Sequence, residues 1–390
     1  MRVFFNILDV LIILLPILMS VAFITIAERK VMASMQRRCG PNAVGVYGLL
    51  QPFADALKLL VKEIIVPRQS NNILFIIGPC ITLIFALIGW SIIPFGEGLA
   101  IFDYDLGVFF ALAVSSIGSY GILISGWAAN SKYTFMGAIR STAQLLSYEL
   151  VFSSIILILI LFSGSFSLTY IVECQQAVWN IVPLLPLCLM FFIAILAETN
   201  RPPFDLSEAE SELVAGFMTE HSAGVFVFFF LGEYSSLILM SAFMSIFFLG
   251  GHHCPDLHKL IIDPFLFIYY YFWPLDISFN IYLFSNFSSF LFSDLSFLNF
   301  NSFTLFSNKD IVFDSINLFF DKLYGSYIFG FKIIFVVFFF IWVRASFPRL
   351  RYDQLMSLCW KELLPLVFAY IIFTICFFYS FDMMPFGSSF

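Results

Sequence analysis

Eight stretches of this chain are each long and apolar enough to cross a lipid bilayer, and that removes most folds from consideration. The first, "ILDVLIILLPILMSVAFITIA" from Ile7 to Ala27, carries a single charge, Asp9. A helix needs about 20 mostly apolar residues to cross the hydrocarbon core. The other runs are Ile73–Phe95, Leu106–Trp127, Ala143–Phe162, Ile181–Ala197, Ala223–Leu249, Tyr327–Val343 and Leu363–Phe381. Together they predict an all-α integral membrane protein, a single polytopic domain over residues 1–390. The first run is too long for a signal-peptide core and lacks a small-residue cleavage site, so it reads as a transmembrane helix.

Composition agrees. The chain is 61% hydrophobic and 12% charged, far from a soluble balance. No basic stripe suggests nucleic acid. Seven cysteines are scattered with no Cys-x-x-Cys pair, which excludes the common iron–sulfur and zinc spacings and argues against a disulfide framework. The stretch "GHHCPDLH" contains His252, His253, Cys254 and His258 and reads as a polar loop rather than a metal site. Phenylalanine is extreme, 54 of 390 residues. Lipid-facing positions accept it freely; a codon bias toward AT, as in organellar genes, accounts for it equally well.

Lys and Arg set the orientation. Fourteen of the 19 fall in or beside the connections after runs one, three, five and seven. Those connections therefore share the cytoplasm or matrix side, with both termini opposite. The stretch 251–326 is then a long insertion on the opposite side, between helices six and seven. Its apolar part "LIIDPFLFIYYYFW" is interrupted by Asp263 and Pro264 and reads as interfacial or subunit-packed, not as a crossing.

Two basic-side loops carry pattern. In the first, residues 34–70, "LLQPFADALKLLVKE" sets Phe53, Leu57, Leu60 and Ile64 at helical spacing, with Asp55, Lys58 and Lys62 on other faces. That is an amphipathic helix in the interface plane. The other, residues 198–222, opens with "ETNRPPFDLSEAESE": five carboxylates and one arginine in fifteen residues. Ser207 and Glu210 have capping-box spacing, which predicts a helix from Ser207 into "ELVAGFMTEH". Acids in a first turn favour the helix dipole, which accounts for Glu208 and Glu210 but not for Glu212, Asp205 and Glu198.

Glu149 and Glu233 lie inside the fourth and sixth runs, beside Tyr148 and Tyr234. A charge at mid-bilayer costs roughly 2.5–3.5 kcal/mol, so such residues face the bundle interior and point to a proton or ion path. The bland reading is a protonated brace between helices.

The motifs "AERKVMASMQRRCGPNAVGVYGLLQPFADALKLLVKE", "SGWAANSKYTFMGAIRSTAQLLSYEL", "LAETNRPPFDLSEAESELVAGF", "GEYSS" and "IWVRASFPRLRYDQLMSLCWKELLP" are in order along the chain. Through them the sequence resembles the chain 1 family of NADH:ubiquinone oxidoreductase, respiratory complex I, everywhere except 251–326. The resemblance implies a mitochondrially encoded subunit of the inner membrane, with the basic loops in the matrix and the termini and insertion in the intermembrane space. It implies a wall of the ubiquinone access channel, coupled to proton translocation. Glu28, Arg29, Asp55, Arg201, Asp205, Glu208, Glu210, Glu212 and Arg344 match its channel positions. Tyr148, Glu149, Glu198, Glu233 and Tyr234 match its proton path. No catalytic residue is carried over to this chain. Ubiquinone is the implied substrate; flavin and iron–sulfur clusters are expected in partner subunits, since the sequence has no motif for either. The implied partners are peripheral-arm subunits of the quinone site, neighbouring membrane-arm subunits and lipids. Two other readings stand beside this one: the related membrane subunit of an energy-converting hydrogenase, and an autonomous proton- or cation-coupled transporter.

Overall fold

The computed structural model describes residues 2–96, 98–176, 178–206, 215–253 and 309–381; of 2–9 and 309–323 it describes the backbone alone. Ser207, Glu208, Glu210, Glu212, Cys254, His258 and the stretch "LIIDPFLFIYYYFW" lie outside the described residues. Residues 1–253 and 325–390 form one compact unit. Of the second, 254–324, only the helical backbone from Lys309 and the side chain of Tyr324 are described.

Every regular element among the described residues is helical. In chain order they are α1 (Arg2–Met35), α2 (Gln51–Val61), α3 (Asn72–Ile88), α4 (Gly107–Ala128), α5 (Lys132–Ser163), α6 (Leu168–Glu173), α7 (Leu185–Glu198), α8 (Ala223–Phe248), α9 (Lys309–Ser346), α10 (Tyr352–Ser357) and α11 (Leu364–Ser380). A π-helical turn, Leu358–Leu363, joins α10 to α11 without a break. Seven helices are long and apolar enough to cross a membrane. The expected fifth crossing is shorter than predicted: α7 has 14 residues. The cause is local. Pro183 and Pro186 have no amide hydrogen, so the helix starts only at Leu185, with Pro186 in its first turn. Two other expectations also shift. α1 runs past Ala27 to Met35, which puts Glu28 within a helix rather than at its end. α9 begins at Lys309, inside the expected 251–326 connection.

Small residues let the helices approach. A Cβ on Gly121 of α4 would lie 2.8 Å from the Gly78 carbonyl oxygen of α3, and one on Gly78 would lie 3.0 Å from the Gly121 carbonyl. Thr82 and Ser125, four residues on from each glycine, continue the same contact face. This is how helices associate where lipid supplies no hydrophobic drive. α5 starts at a cap, the Ser131 hydroxyl accepting from the Thr134 amide at 3.3 Å. It stops at Gly164, whose φ of 71° is left-handed. α5 is the central post: Val151, Ile155, Ile158 and Leu159 are all buried in the main core.

The expected helix from Ser207 does not reach "GFMTEH". There the chain forms a single 3₁₀ turn, Gly216–Met218, with Gly216 at φ 54°. Gly216 abuts Gly137 of α5 so closely that a Cβ on Gly137 would meet its Cα at 2.7 Å.

Candidate functional site

Glu28 is the centre of the charged site. It is 5% exposed, on α1, and three other elements converge on its carboxylate. The Tyr234 hydroxyl of α8 donates to Oε2 at 2.7 Å. Arg201, from the loop after α7, donates to Oε1 at 3.4 Å, and Arg344 near the end of α9 donates to the same oxygen. The Arg201 guanidinium also lies 4.1 Å over the Tyr234 ring, a cation–π contact. A buried carboxylate between two guanidiniums and a phenol is a paired charge, the form in which low-dielectric surroundings tolerate one. Burial by itself would lower the Arg201 pKa, but Tyr234, Glu28 and Glu233 around it raise it, so the guanidinium stays charged. Its Nη2 is buried with no hydrogen-bond partner among the described residues.

The loop bearing Arg201 is held from two sides. Gln144 of α5 donates through Nε2 to the carbonyls of Ala197 at 2.8 Å and Phe204 at 2.9 Å. Arg349, just beyond α9, pairs with the buried Asp205 at 2.9 Å, and the Leu350 amide donates to the Pro203 carbonyl at 3.0 Å. Asp205 is therefore a fastening of the loop in this arrangement.

Beside the cluster lies a cavity of about 110 Å³ between α3, α4 and α8. Glu198, Asn200 and Glu233 line it, with the hydroxyl residues Ser115, Ser119 and Ser236. Such a space has room for several waters. Glu198 Oε2 and Asn200 Oδ1 are buried without hydrogen-bond partners among the described residues. Glu149 is close enough to Glu198 for the two charges to interact. Glu233 and Tyr234, adjacent on α8, thus serve different places: one lines the cavity, the other binds Glu28. Arg201 feels both Glu28 and Glu233. Tyr148 donates to the Leu355 carbonyl at 3.2 Å and braces α5 against α10.

Arg29 and Asp55 sit apart from this cluster. They form a half-exposed ion pair at 3.0 Å that ties α1 to α2. No residue of α2 is buried, and Leu57, Leu60 and Val61 are largely exposed. Glu208, Glu210 and Glu212 belong to the loop segment outside the described residues.

Four residues had little or no sequence signal. Gln144 and Arg349 look like ordinary polar residues until the loop they hold is seen. His221 is stacked on Phe75, ring centres 4.0 Å apart, and burial pushes its pKa down to about 4. Lys332 was visible only as a charge in an apolar run. The rings of His252 and His253 lie 4.3 Å apart. Among the described residues no group of His, Cys, Asp and Glu could hold a metal ion.

The sequence model of one family, described as NADH dehydrogenase, matches residues 8–375. The chain is 54% identical to NADH-ubiquinone oxidoreductase chain 1 of Podospora anserina, over 97% of each chain. It is 52% identical to the protein of that name in Neurospora crassa, over 97% of this chain and 96% of the relative. It is 48% identical to the one in Yarrowia lipolytica, over 97% and 98%.

Proposed function

The chain belongs to the NADH dehydrogenase family and is a membrane subunit of complex I, and on that premise we propose that its Glu28 cluster lines the path of the quinone head group. The observation that carries this reading is the convergence of Tyr234, Arg201 and Arg344 on one buried carboxylate beside an acid-lined cavity. Ubiquinone is the substrate. Its carbonyls need donors, and Arg201 Nη2 is a buried donor without a hydrogen-bond partner among the described residues. Arg29 and Asp55, with the exposed apolar face of α2, form the approach from lipid. Asp205, Glu208, Glu210 and Glu212 belong to the loop on the same path.

Quinone reduction consumes two electrons and two protons. A change of charge at the head group acts first on Arg201, which is coupled to Glu28 on one side and Glu233 on the other. A shift of Arg201 between these acids changes the proton affinity of Glu233, then of Glu198 across the cavity, and through Glu198 that of Glu149. Hydroxyls and water there carry the proton onward. The electrons come from partner subunits that hold the flavin and iron–sulfur clusters, and the residues of this chain do the positioning and the proton work.

α7, extended by the turn at 181–184, makes an eighth crossing between the seven longer spans, and α2 lies in the interface. The location is the mitochondrial inner membrane. Arg29, Arg201, Arg344 and Arg349 belong to the matrix end of the bundle, where peripheral-arm subunits dock; neighbouring membrane-arm subunits and lipids cover the apolar faces. Both termini and residues 251–326 face the intermembrane space.

Glu28→Gln in the assembled complex tests the function. The expected result is a loss of NADH:ubiquinone turnover of roughly tenfold or more, as for removal of one aligned electrostatic group. NADH oxidation by an artificial acceptor, which takes electrons ahead of the membrane arm, stays at wild-type level. Unchanged quinone turnover would refute the reading. A companion Glu198→Gln variant should lower the protons moved per electron; an unchanged ratio removes Glu198 from the path.

A further inference from the structure

Lys332 is a buried charge with no place in the quinone path. It is 8% exposed, on α9, about 18 Å along the helix from Arg344 at 1.5 Å per residue. Its Nζ donates to the carbonyls of Leu249 at 2.6 Å, Gly251 at 2.8 Å and His253 at 2.5 Å. It also lies 4.7 Å from the centre of the Trp179 ring. These carbonyls follow directly on α8, from its C-cap Leu249 onward, on the side where the helix dipole favours a cation. Side chains from the loop after α6 take other carbonyls of that end: Gln175 donates to Ile246 at 2.7 Å and Asn180 to Phe247 at 2.9 Å.

α9 needs such a fixing. An apolar groove of about 770 Å³ runs between α1 and α9, lined by Ile13, Ile17 and Ile24 on one side and Phe329, Ile333 and Val337 on the other. Along it the two helices are not tightly packed, so packing against α1 alone does not set where α9 stands. Polar contacts tie α9 at two points along its length: Arg344 to Glu28 near its C-terminal end, and Lys332, further back in the helix, to the chain at the end of α8.

We infer that Lys332 is a positioning residue for the Glu28 cluster: by clamping α9 to the C-terminal end of α8, it sets the register in which Arg344 and Tyr234 meet on one carboxylate. The inference rests on the quinone-path reading of that cluster. Misplacement of about 1 Å in such a constellation can cost up to roughly a hundredfold in rate.

The test uses Lys332→Met, Lys332→Gln and Lys332→Arg in the assembled complex, with Glu28→Gln alongside. Each is assayed for quinone kcat, quinone KM, the pH profile of turnover and artificial-acceptor activity. The expected result for Met and Gln is a fall in quinone kcat of roughly ten- to a hundredfold at unchanged artificial-acceptor activity. Their pH profiles should move as the Glu28→Gln profile moves, and Lys332→Arg, which keeps donors for the carbonyls, should restore most of the rate. Wild-type kinetics and pH profile in Lys332→Met would overturn the inference. So would a parallel fall of both activities in all three variants, Arg included, which marks a purely structural role. If Glu28→Gln leaves quinone kinetics unchanged, the quinone-path reading fails, and the inference with it. If Glu28→Gln impairs turnover while the Lys332 variants do not, only the inference fails.

Discussion

Glu28 and Tyr234, 206 positions apart in sequence, are joined by a hydrogen bond of 2.7 Å at a point where two spanning helices meet. The bond puts a phenol between a paired carboxylate and the helix that also carries Glu233. Its loss should separate the quinone path from the acids of the cavity. A hydrogen bond to a charged group contributes roughly 1.5–3 kcal/mol. Tyr234→Phe is therefore expected to lower quinone turnover about tenfold or more, with assembly intact. Steady-state kinetics across pH checks this; wild-type turnover at every pH would show the bond to be incidental.

Packing of α3 on α4 depends on the absence of side chains at Gly78 and Gly121. A Cβ at Gly121 would press on the Gly78 carbonyl at 2.8 Å, and backbone cannot swing aside. Gly121→Val should cost about 1–3 kcal/mol, the usual range for overpacking. The measurement is the amount of assembled complex and its thermal midpoint, with Gly118→Ala, where a Cβ meets nothing within 4 Å, as the neutral comparison.

His221 makes stability depend on pH. Its folded-state pKa, about 4, is below its ordinary 6.5 because burial disfavours the charged ring. The unfolded chain therefore binds the proton first, and stability is lost as pH falls from 6.5 toward 4, by up to roughly 3 kcal/mol. Above pH 6.5 the contribution is constant. Thermal midpoints measured between pH 7.5 and 5 should fall less steeply in His221→Phe, which keeps the stack on Phe75. Equal slopes in both proteins would contradict this.

Two exposed cysteines, Cys39 after α1 and Cys174 after α6, allow the proposed sidedness to be tested. In mitoplasts with the inner membrane sealed, a membrane-impermeant maleimide should label a variant retaining only Cys174 and spare one retaining only Cys39. The opposite pattern would invert the proposed orientation.

Much of the fold was legible because hydrocarbon leaves a chain few choices. Seven apolar runs became helices long enough to span, and their approximate positions followed from hydropathy alone. The start of α7 was placed too early, at Ile181 rather than Leu185, because two prolines shorten a run that hydropathy reads as continuous. The charged site was legible only through the family motifs. Arg201, Tyr234 and Arg344 are 173, 206 and 316 positions from Glu28, distances at which periodicity says nothing. The motifs marked Glu28 and Asp55 alike as channel residues, whereas the structure buries one among cations and leaves the other in a surface pair. Surface pairs of that kind contribute about 0–1 kcal/mol. Gln144 and Lys332 gave no usable signal, since their partners are backbone carbonyls, which every sequence has.

The central claim is that a quinone head group passes the Glu28 cluster. The most direct measurement is photolabelling of the intact complex with a ubiquinone analogue carrying a small photoreactive group on the ring, followed by peptide mapping. Crosslinks should fall on the peptides that carry Glu28, Arg201, Tyr234 and Arg344, and excess ubiquinone should suppress them. Suppressible labelling elsewhere in the complex, with none on those four peptides, would contradict the account.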